Sequence, residues 1–543
     1  MRDLLALVTA LALSLAIIPV MVYLAPSLGM MDKPNERKVH DKPIPRVGGW
    51  GIILGALISI VVWIQLDGLM ISYILGSVVL LVFGALDDRK EMGHYFKFLG
   101  QFIAVFFVVF YGGLVVTRLP FIHMDPVPGF LGISFTVISM VGMINAINHS
   151  DGLDGLAGGE SMLSLCGIGF VSYLAGGHIS LVLAVACIGG ILGFLRHNTH
   201  PGTVFMGDAG SQFLGFTLGF LAILLTQRID TTLSPAVAIM LLGFPIVDII
   251  VVLWKRIRGG LNWFRATKNH VHHRLLNLGF EHTESVVIIY TLQSLIVLSG
   301  VLLCYQNNWL IVLVYLIEST SIYYIIRFAE KRGWQAHHSV YRTNTRRVIT
   351  SIKNSKILFS TPRRILSIAI PLYLIGGSVW IGKVPSDFGL VAAALFLIML
   401  LEHFIKVDNH SLLHRGIIYL IAAFIVYLVK NYPGNELPWV STAEHLFFVM
   451  LALITMIAVR FSPKRRKMEF RTTAMDYIMI FVVVMAPLIW NVDFGGIGGS
   501  VIVQLIIIFY GCELLITEGR KRWSTLGLSS LATVAVLAIR SLL

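Results

Sequence analysis

Long apolar runs recur along almost the whole of this 543-residue chain. The first extends from Leu4 to Leu24, and later ones are about 18–22 residues long, the length an α-helix needs to cross a hydrocarbon core. Inside a bilayer no water is at hand to satisfy backbone N–H and C=O groups, so a chain built this way must span it as helices. Composition supports the same reading: 56% of residues are hydrophobic and 13% charged, with a mean hydropathy of +0.82. A soluble protein of this size needs far more charge to cover its surface. The spacing predicts an all-α fold, a polytopic integral membrane helical bundle of about 18 transmembrane helices. Spans at 69–86, 128–146, 156–175, 211–226, 233–254 and 475–490 are among them. The first run has no A-x-A-like cleavage site and follows Arg2 and Asp3 instead of a basic region, so it reads as a retained span. Cys166, Cys187, Cys304 and Cys512 lie in apolar runs without a CxxC pair, which argues for buried thiols over disulfides or zinc.

Span count and charge test one another. An even number of spans puts both termini on one side. One side of the predicted bundle then holds Arg2, Arg118, Arg228, Lys383, Lys430 and Arg540, and the other holds the remaining 36 of the 42 Lys and Arg. The positive-inside rule makes the basic side cytoplasmic and both termini extracytoplasmic. One missed span would invert every later loop and spoil that ratio. The same asymmetry accounts for the net charge of +13 without any nucleic acid. The longest polar connection is strongly basic and divides the chain. It predicts a membrane domain over 1–330 with about 11 spans, a basic cytoplasmic linker over 331–364, and a C-terminal membrane domain over 365–543 with about 7 spans and almost no motifs. The linker reads first as a positive-inside loop, with anionic lipid headgroups as a second option.

The polar motifs lie in the first domain. Asp87 and Asp88 follow a span in FGALDDRKEMGHYFKFLGQ. Adjacent carboxylates at a membrane boundary can bind a divalent cation or take a proton from a phosphate, although alone they fit a solvated helix end better. NAINHSDGLDGLAGG, from Asn145 to Gly159, sets Asp151 and Asp154 three residues apart among glycines and amides, on one face if the segment is helical. Its glycines allow a backbone to approach a phosphate, and its density of Asn and Asp points to function over a plain turn. NTHPGTVFMGDAGSQFLG puts Asp208 at the head of a span, where it can cap the helix or hold a cation that clamps phosphates. KNHVHHRLLNLG carries His270, His272 and His273. No Cys or Glu completes a zinc set there, and Lys268 and Arg274 favour contact with phosphate or nucleotide. VHDKPIPRVGGWG offers Lys42 and Arg46 to an anionic substrate from a proline-held loop, with a plain connection equally consistent. Asp248, in FPIVDII, is an intramembrane carboxylate and a functional candidate by default, with a hydrogen-bonded packing anchor as the other reading; Glu318 is similar but isolated. The span model puts the acidic and histidine motifs on one cytoplasmic face.

HDKPIPRVGG, LDDR, NAINHSDGLDGLAGG, VFMGDAGS and HVHHRL, in that order, resemble the bacterial polyprenyl-phosphate N-acetylhexosamine-1-phosphate transferases, glycosyl transferase family 4. The resemblance covers about residues 1–330. The H-x-H-H-R-L form is similar to the branch that uses UDP-GlcNAc, while RATKN, just before His270, departs from the acidic residue usual there. The resemblance implies a Mg²⁺- or Mn²⁺-dependent enzyme of the bacterial inner membrane with a cytoplasmic active site. It would transfer a sugar 1-phosphate, by default GlcNAc-1-phosphate, from a UDP-sugar to undecaprenyl phosphate, releasing UMP and initiating a cell-surface polysaccharide such as an O-antigen. Carried over to this chain, Asp208 binds metal at the pyrophosphate, with Asp88 and Asp151 assisting. Asp87 and Asp88 deprotonate or position the lipid phosphate, and Asp154 joins Asp87, Asp88 and Asp208 as catalytic. Asn145, Asn148, Asp151 and Asp154 frame the nucleotide. Asn198, His270, His272 and His273 meet the uridine or the phosphates, and Lys42 and Arg46 meet anionic substrate. The implied partners are UDP-sugar, undecaprenyl phosphate and membrane lipid, without nucleic acid; a homo-oligomer is left open. A lipid-linked sugar transporter or flippase is the alternative. Transporters usually place ionisable groups near the bilayer midplane, whereas these motifs gather at span ends, which favours an enzyme.

Overall fold

The computed structural model describes residues 2–32, 43–90, 92–122, 124–260, 270–336, 357–405, 412–434, 438–460, 493–494, 497–518 and 525–542. Helices dominate them. Ten helices among the described residues are long and apolar enough to cross a membrane, and shorter apolar ones run over Gly48–Trp63, Phe388–Leu400, Ile417–Asn431 and Val503–Ile516. The protein is an all-α, multi-pass membrane protein. The span predicted at 475–490 lies outside the described residues. The described residues form two compact units, one up to residue 336 and one from residue 357.

The first unit contains α1 (Arg2–Leu28), α2 (Gly48–Trp63), α3 (Gly68–Lys90), α4 (His94–Phe106), α5 (Gly129–Ser150), α6 (Leu156–Leu174), α7 (His178–Asn198), α8 (Gly207–Leu224), α9 (Val237–Leu242), α10 (Phe244–Arg258), α11 (Val271–Asn277), α12 (His282–Leu303) and α13 (Asn308–Lys331). Its axis is α8, in which every residue from Ala209 to Leu224 is buried. From Phe213 onward the sequence is apolar on all sides but for Thr217, so this helix belongs in the interior of a bundle. Helices α2, α3, α5 and α6 surround it. Tyr73 of α3 stacks on Phe216 with ring centroids 5.6 Å apart, and its hydroxyl lies 2.8 Å from Thr217 Oγ1. On the outside, Leu75, Val78, Val82 and Leu86 of α3 form an exposed apolar stripe at helical spacing, as expected of a face turned to lipid.

Two local features shape the end of the bundle that carries the motifs. Strands β1 (Met31–Asp32) and β2 (Ile44–Pro45) pair antiparallel, and Phe205 N then donates to Pro45 O at 2.8 Å while Gly48 N donates to Phe205 O at 2.9 Å. These bonds stitch the Pro-Arg-Val-Gly-Gly segment to the loop that leads into Asp208. The second feature corrects the sequence reading. The span expected over 233–254 is broken at Gly243, with φ +68°, into α9 and α10. Gln293 of α12 fills the break: its Oε1 accepts from Phe244 N at 2.6 Å and its Nε2 donates to Ser164 Oγ at 2.7 Å. Tyr315 Oη donates to Gly243 O at 3.2 Å. A broken helix is tolerated inside a bundle when side chains satisfy the freed backbone in this way. Hydropathy registers only the apolar run and is blind to that break.

The second unit contains α14 (Ile357–Trp380), α15 (Ser386–Ile405), α16 (Leu412–Asn431), α17 (Pro438–Arg460), α18 (Gly499–Glu518) and α19 (Thr525–Leu542). Tyr373 of α14 packs between Phe447 and Phe448 of α17, at 5.4 and 5.1 Å between centroids. The Arg540 guanidinium of α19 donates to Ser378 O at 2.9 Å and Val379 O at 2.7 Å, meeting carbonyls at the C-terminal end of α14.

Candidate active site

Four helix ends of the first unit converge on one polar cluster. Asp87 and Asp88 sit in the last turns of α3, Lys97 in the first turn of α4, Asn148 near the end of α5 and Asp208 in the first turn of α8. Lys97 Nζ lies 2.8 Å from Asp87 Oδ2 and 3.1 Å from Asp208 Oδ2. Asn148 Nδ2 donates to Asp208 Oδ1 at 2.5 Å and to Ser211 Oγ at 2.9 Å. Asp88 accepts from Asp208 N at 2.9 Å and from Ala209 N at 3.4 Å. A carboxylate from another helix therefore caps α8, where the N-terminal dipole favours negative charge. The approach requires Gly207. Its φ is +76°, and a Cβ there would sit 2.6 Å from Asp88 Oδ2. Asp87 and Asp88 are 3% and 5% exposed, which rules out the solvated helix end. Asp87 Oδ1 is buried with no hydrogen-bond partner among the described residues. Two carboxylates on one ammonium, a third beside them on the α8 N-terminus and an unsatisfied carboxylate oxygen suit a hard divalent cation.

The Asp151–Asp154 pair does not share a helical face. Residues 151–155 form a turn between α5 and α6, and the two side chains enter different surroundings. Asp154 Oδ2 lies 2.6 Å from His200 Nδ1 and accepts from Gly202 N at 3.0 Å. Asp154 N donates to His282 Nε2 at 3.1 Å, and the His200 and His282 rings stack at 3.9 Å. Burial opposes ionisation of Asp154, yet the His200 and Gly202 hydrogen bonds hold its carboxyl below the usual range. For Asp151, burial and then the charges of Asp208 and Asp154 push the carboxyl up to about 7, with Arg46 acting in the opposite direction. Asp154, His200 and His282 offer ligand atoms within 4.8 Å of one another, a second group able to hold a metal.

The histidine segment meets that turn from α11. His272 is buried against Gly152, where an added Cβ would lie 2.4 Å from its Nε2. Burial and then the neighbouring His273 push His272 down to about 3, so it is neutral at physiological pH. His270 Nδ1 lies 2.6 Å from Asp248 Oδ2 in α10, and Val271 N donates to Asp248 Oδ1 at 2.9 Å. Arg274 donates to both oxygens of Glu330 at 2.7 Å.

Other expected residues also have protein partners. Asn198 braces the site from within, accepting from Gly155 N and donating to Val204 O, both at 2.8 Å. Asn145 donates to Gln101 Oε1 and Val141 O at 2.8 Å and ties α5 to α4. Arg46 pairs with Asp32. Glu318, isolated in sequence, accepts from Ser299 Oγ at 2.7 Å. Lys42, Lys268 and the RATKN stretch lie outside the described residues. Sequence reasoning passed over Lys97, His200 and His282. Lys97 had a signal, a lone cation in the apolar HYFKFLGQF run, and His200 stands two residues after Asn198; His282 had none before the chain was folded.

Comparison with known proteins fixes the family. The model for glycosyl transferase family 4 matches residues 70–226, the stretch that holds every member of the carboxylate–lysine cluster. A Bacillus subtilis (strain 168) protein described as a probable undecaprenyl-phosphate N-acetylglucosaminyl 1-phosphate transferase is 34% identical over 312 residues, 57% of this chain and 87% of the relative. The chain belongs to glycosyl transferase family 4. Family-4 relatives described as undecaprenyl-phosphate alpha-N-acetylglucosaminyl 1-phosphate transferases match it in Haemophilus influenzae and Escherichia coli K12. The first is 32% identical over 60% of this chain and 94% of the relative. The second is 29% identical over 59% of this chain and 89% of the relative. In this family-4 chain the histidine segment and Arg46 fall outside the span of the family model, and packing brings α11 back to the motif at Gly152.

Proposed function

We propose that this protein transfers a sugar 1-phosphate, by default GlcNAc-1-phosphate, from a UDP-sugar to undecaprenyl phosphate at the cytoplasmic face of the bacterial inner membrane, releasing UMP. The product would initiate a cell-surface polysaccharide. The reading rests above all on the cluster in which Lys97 bridges Asp87 and Asp208 while Asp88 caps α8 beside them, in a chain whose relatives bear the names of such transferases. The Lys and Arg asymmetry supports a cytoplasmic site, with both termini on the opposite side. Residues 1–330 would form the transferase domain and 365–543 an accessory one.

In the reaction a lipid-phosphate oxygen bonds to the phosphorus that carries the sugar. The bond from that phosphorus to the bridging oxygen breaks, and UMP leaves with the electron pair. Negative charge gathers on both phosphates, so the site has to offset it and keep the reactants aligned. Lys97 supplies a fixed positive charge between Asp87 and Asp208. Asp87 has its Oδ1 free to receive a proton from the lipid phosphate or to orient it. Asn148 holds the Asp208 carboxylate in one orientation. Asp208 and Asp88, with Asp151, would hold Mg²⁺ or Mn²⁺, which when bound supplies positive charge against pyrophosphate oxygens. The surplus of carboxylates over cations and the unsatisfied Asp87 Oδ1 fit that group. The turn at Asp154 and the histidine segment would frame the nucleotide.

Purified protein given undecaprenyl phosphate, Mg²⁺ and a panel of UDP-sugars should release UMP with one of them, and EDTA should stop the release. No UMP from any sugar, with EDTA making no difference, would overturn the proposal.

A further inference from the structure

Asp248 is a carboxylate in α10, 5% exposed, where an apolar residue would cost far less to bury. Both of its oxygens are spent on the start of α11, Oδ2 on His270 Nδ1 and Oδ1 on Val271 N. The contact spans 22 residues of sequence and lies beside the reaction site. The His149 ring is 5.4 Å from that of His270, and His149 directly follows Asn148, which holds Asp208. The His272 ring lies parallel to that of His270, at 5.7 Å and 12°, and presses on the Asp151–Asp154 turn at Gly152. His270 therefore sits between the carboxylate–lysine cluster and the nucleotide turn.

We propose that Asp248 is a positioning residue that fixes His270 with its proton on Nδ1 and presents the Nε2 lone pair as acceptor to a hydroxyl of the sugar nucleotide. The inference rests on the transferase reading. The physical ground is general: a carboxylate on one imidazole nitrogen sets the tautomer, the ring orientation and the basicity of the other. The competing explanation is that Asp248 only anchors α11 through Val271 N. Asparagine separates the two. Its Oδ1 still accepts from Val271 N, but its Nδ2 is a donor and demands a lone pair on His270 Nδ1, moving the proton to Nε2.

Asp248→Asn should lower kcat for UMP release about 10–100-fold, with KM for the UDP-sugar shifting less than about threefold. His270→Gln should lose a similar amount, and the double variant should be no slower than His270→Gln alone, since both remove one effect. Full activity in Asp248→Asn, or losses that multiply in the double variant, overturns the proposal. ¹⁵N-histidine NMR, with the His270 signals assigned by their loss in His270→Gln, supplies a readout independent of turnover. The Nδ1–H form should dominate in the parent and the Nε2–H form in Asp248→Asn; an unchanged tautomer also overturns it. A parent protein that releases no UMP rejects the transferase reading, and the tautomer still tests the pair. Should Asp248→Asn not fold, His270→Asn carries the test. Its short amide reaches Asp248 but not the Nε2 position, so a folded His270→Asn with parent activity sinks the idea.

Discussion

The two units treat buried polarity in opposite ways. The first buries Asp87, Asp88, Asp248, Arg274, His270 and His272, groups that are charged or able to become so. Among the described residues of the second, the buried polar side chains are Ser378, Thr455, Gln504, Ser529, Ser530 and Thr533, none of them charged. Hydroxyls of that unit turn back onto their own helices, as Ser378 Oγ does on Ile375 O at 2.7 Å and Thr533 Oγ1 on Ser529 O at 2.8 Å. Such bonds satisfy a buried hydroxyl within its own helix at little cost. Burying a carboxylate costs several kcal/mol unless a partner or a ligand meets it. A chain carries that burden where chemistry needs it. The contrast therefore supports the proposal that the reaction belongs to the first unit.

Five experiments would break or sharpen this contrast. The largest effect is expected at Asp208. Asp208→Asn should cut UMP release by at least about 10³-fold in a protein that stays monodisperse in detergent. Normal turnover there would remove the reason for a buried acidic cluster. Next comes Lys97→Met, expected to lose about 10²–10³-fold in kcat because Asp87 and Asp208 lose their fixed counter-charge. Retention of activity would show that the lysine only balances charge at rest. Gly207→Ala should cost about 10²-fold, since its Cβ runs into Asp88 in a backbone conformation worth about 1–3 kcal/mol of strain to an L-residue. An active alanine variant would mean that Asp88 need not stay where it caps α8. The smallest effect belongs to the second unit. Arg540→Met, which removes the guanidinium from the α14 carbonyls, should lower thermal stability but change UMP release less than about twofold. Truncation after Arg332 should likewise leave transfer intact; loss of turnover in a folded truncation would give the second unit a direct part in the reaction.

Much of the site was legible residue by residue, because the motifs concentrate polar side chains where the flanking sequence is apolar. Asp87, Asp88, Asn148 and Asp208 do meet one another. Their mutual geometry was not legible. Asp151 and Asp154 are three residues apart, yet a turn in place of a helix sends one toward Asp208 and the other to His200, with opposite shifts in their carboxyls. Asn145 and Asn198 carry the same polar signal as Asn148, yet Asn145 bonds Gln101 and Asn198 bonds Gly155, partners that composition does not reveal.

By itself the sequence determined what depends on local chemistry: that the chain is helical and resides in a membrane, since hydropathy is a property of consecutive residues, and which motifs carry acid and imidazole. The tertiary structure alone decided the pairings: Lys97 between Asp87 and Asp208, Asp154 against His200 and His282, Asp248 behind His270, and the break at Gly243 closed by Gln293. Most of these join residues tens to more than a hundred positions apart. Their partners are chosen by which helix faces pack together, and no periodicity along the chain encodes that choice.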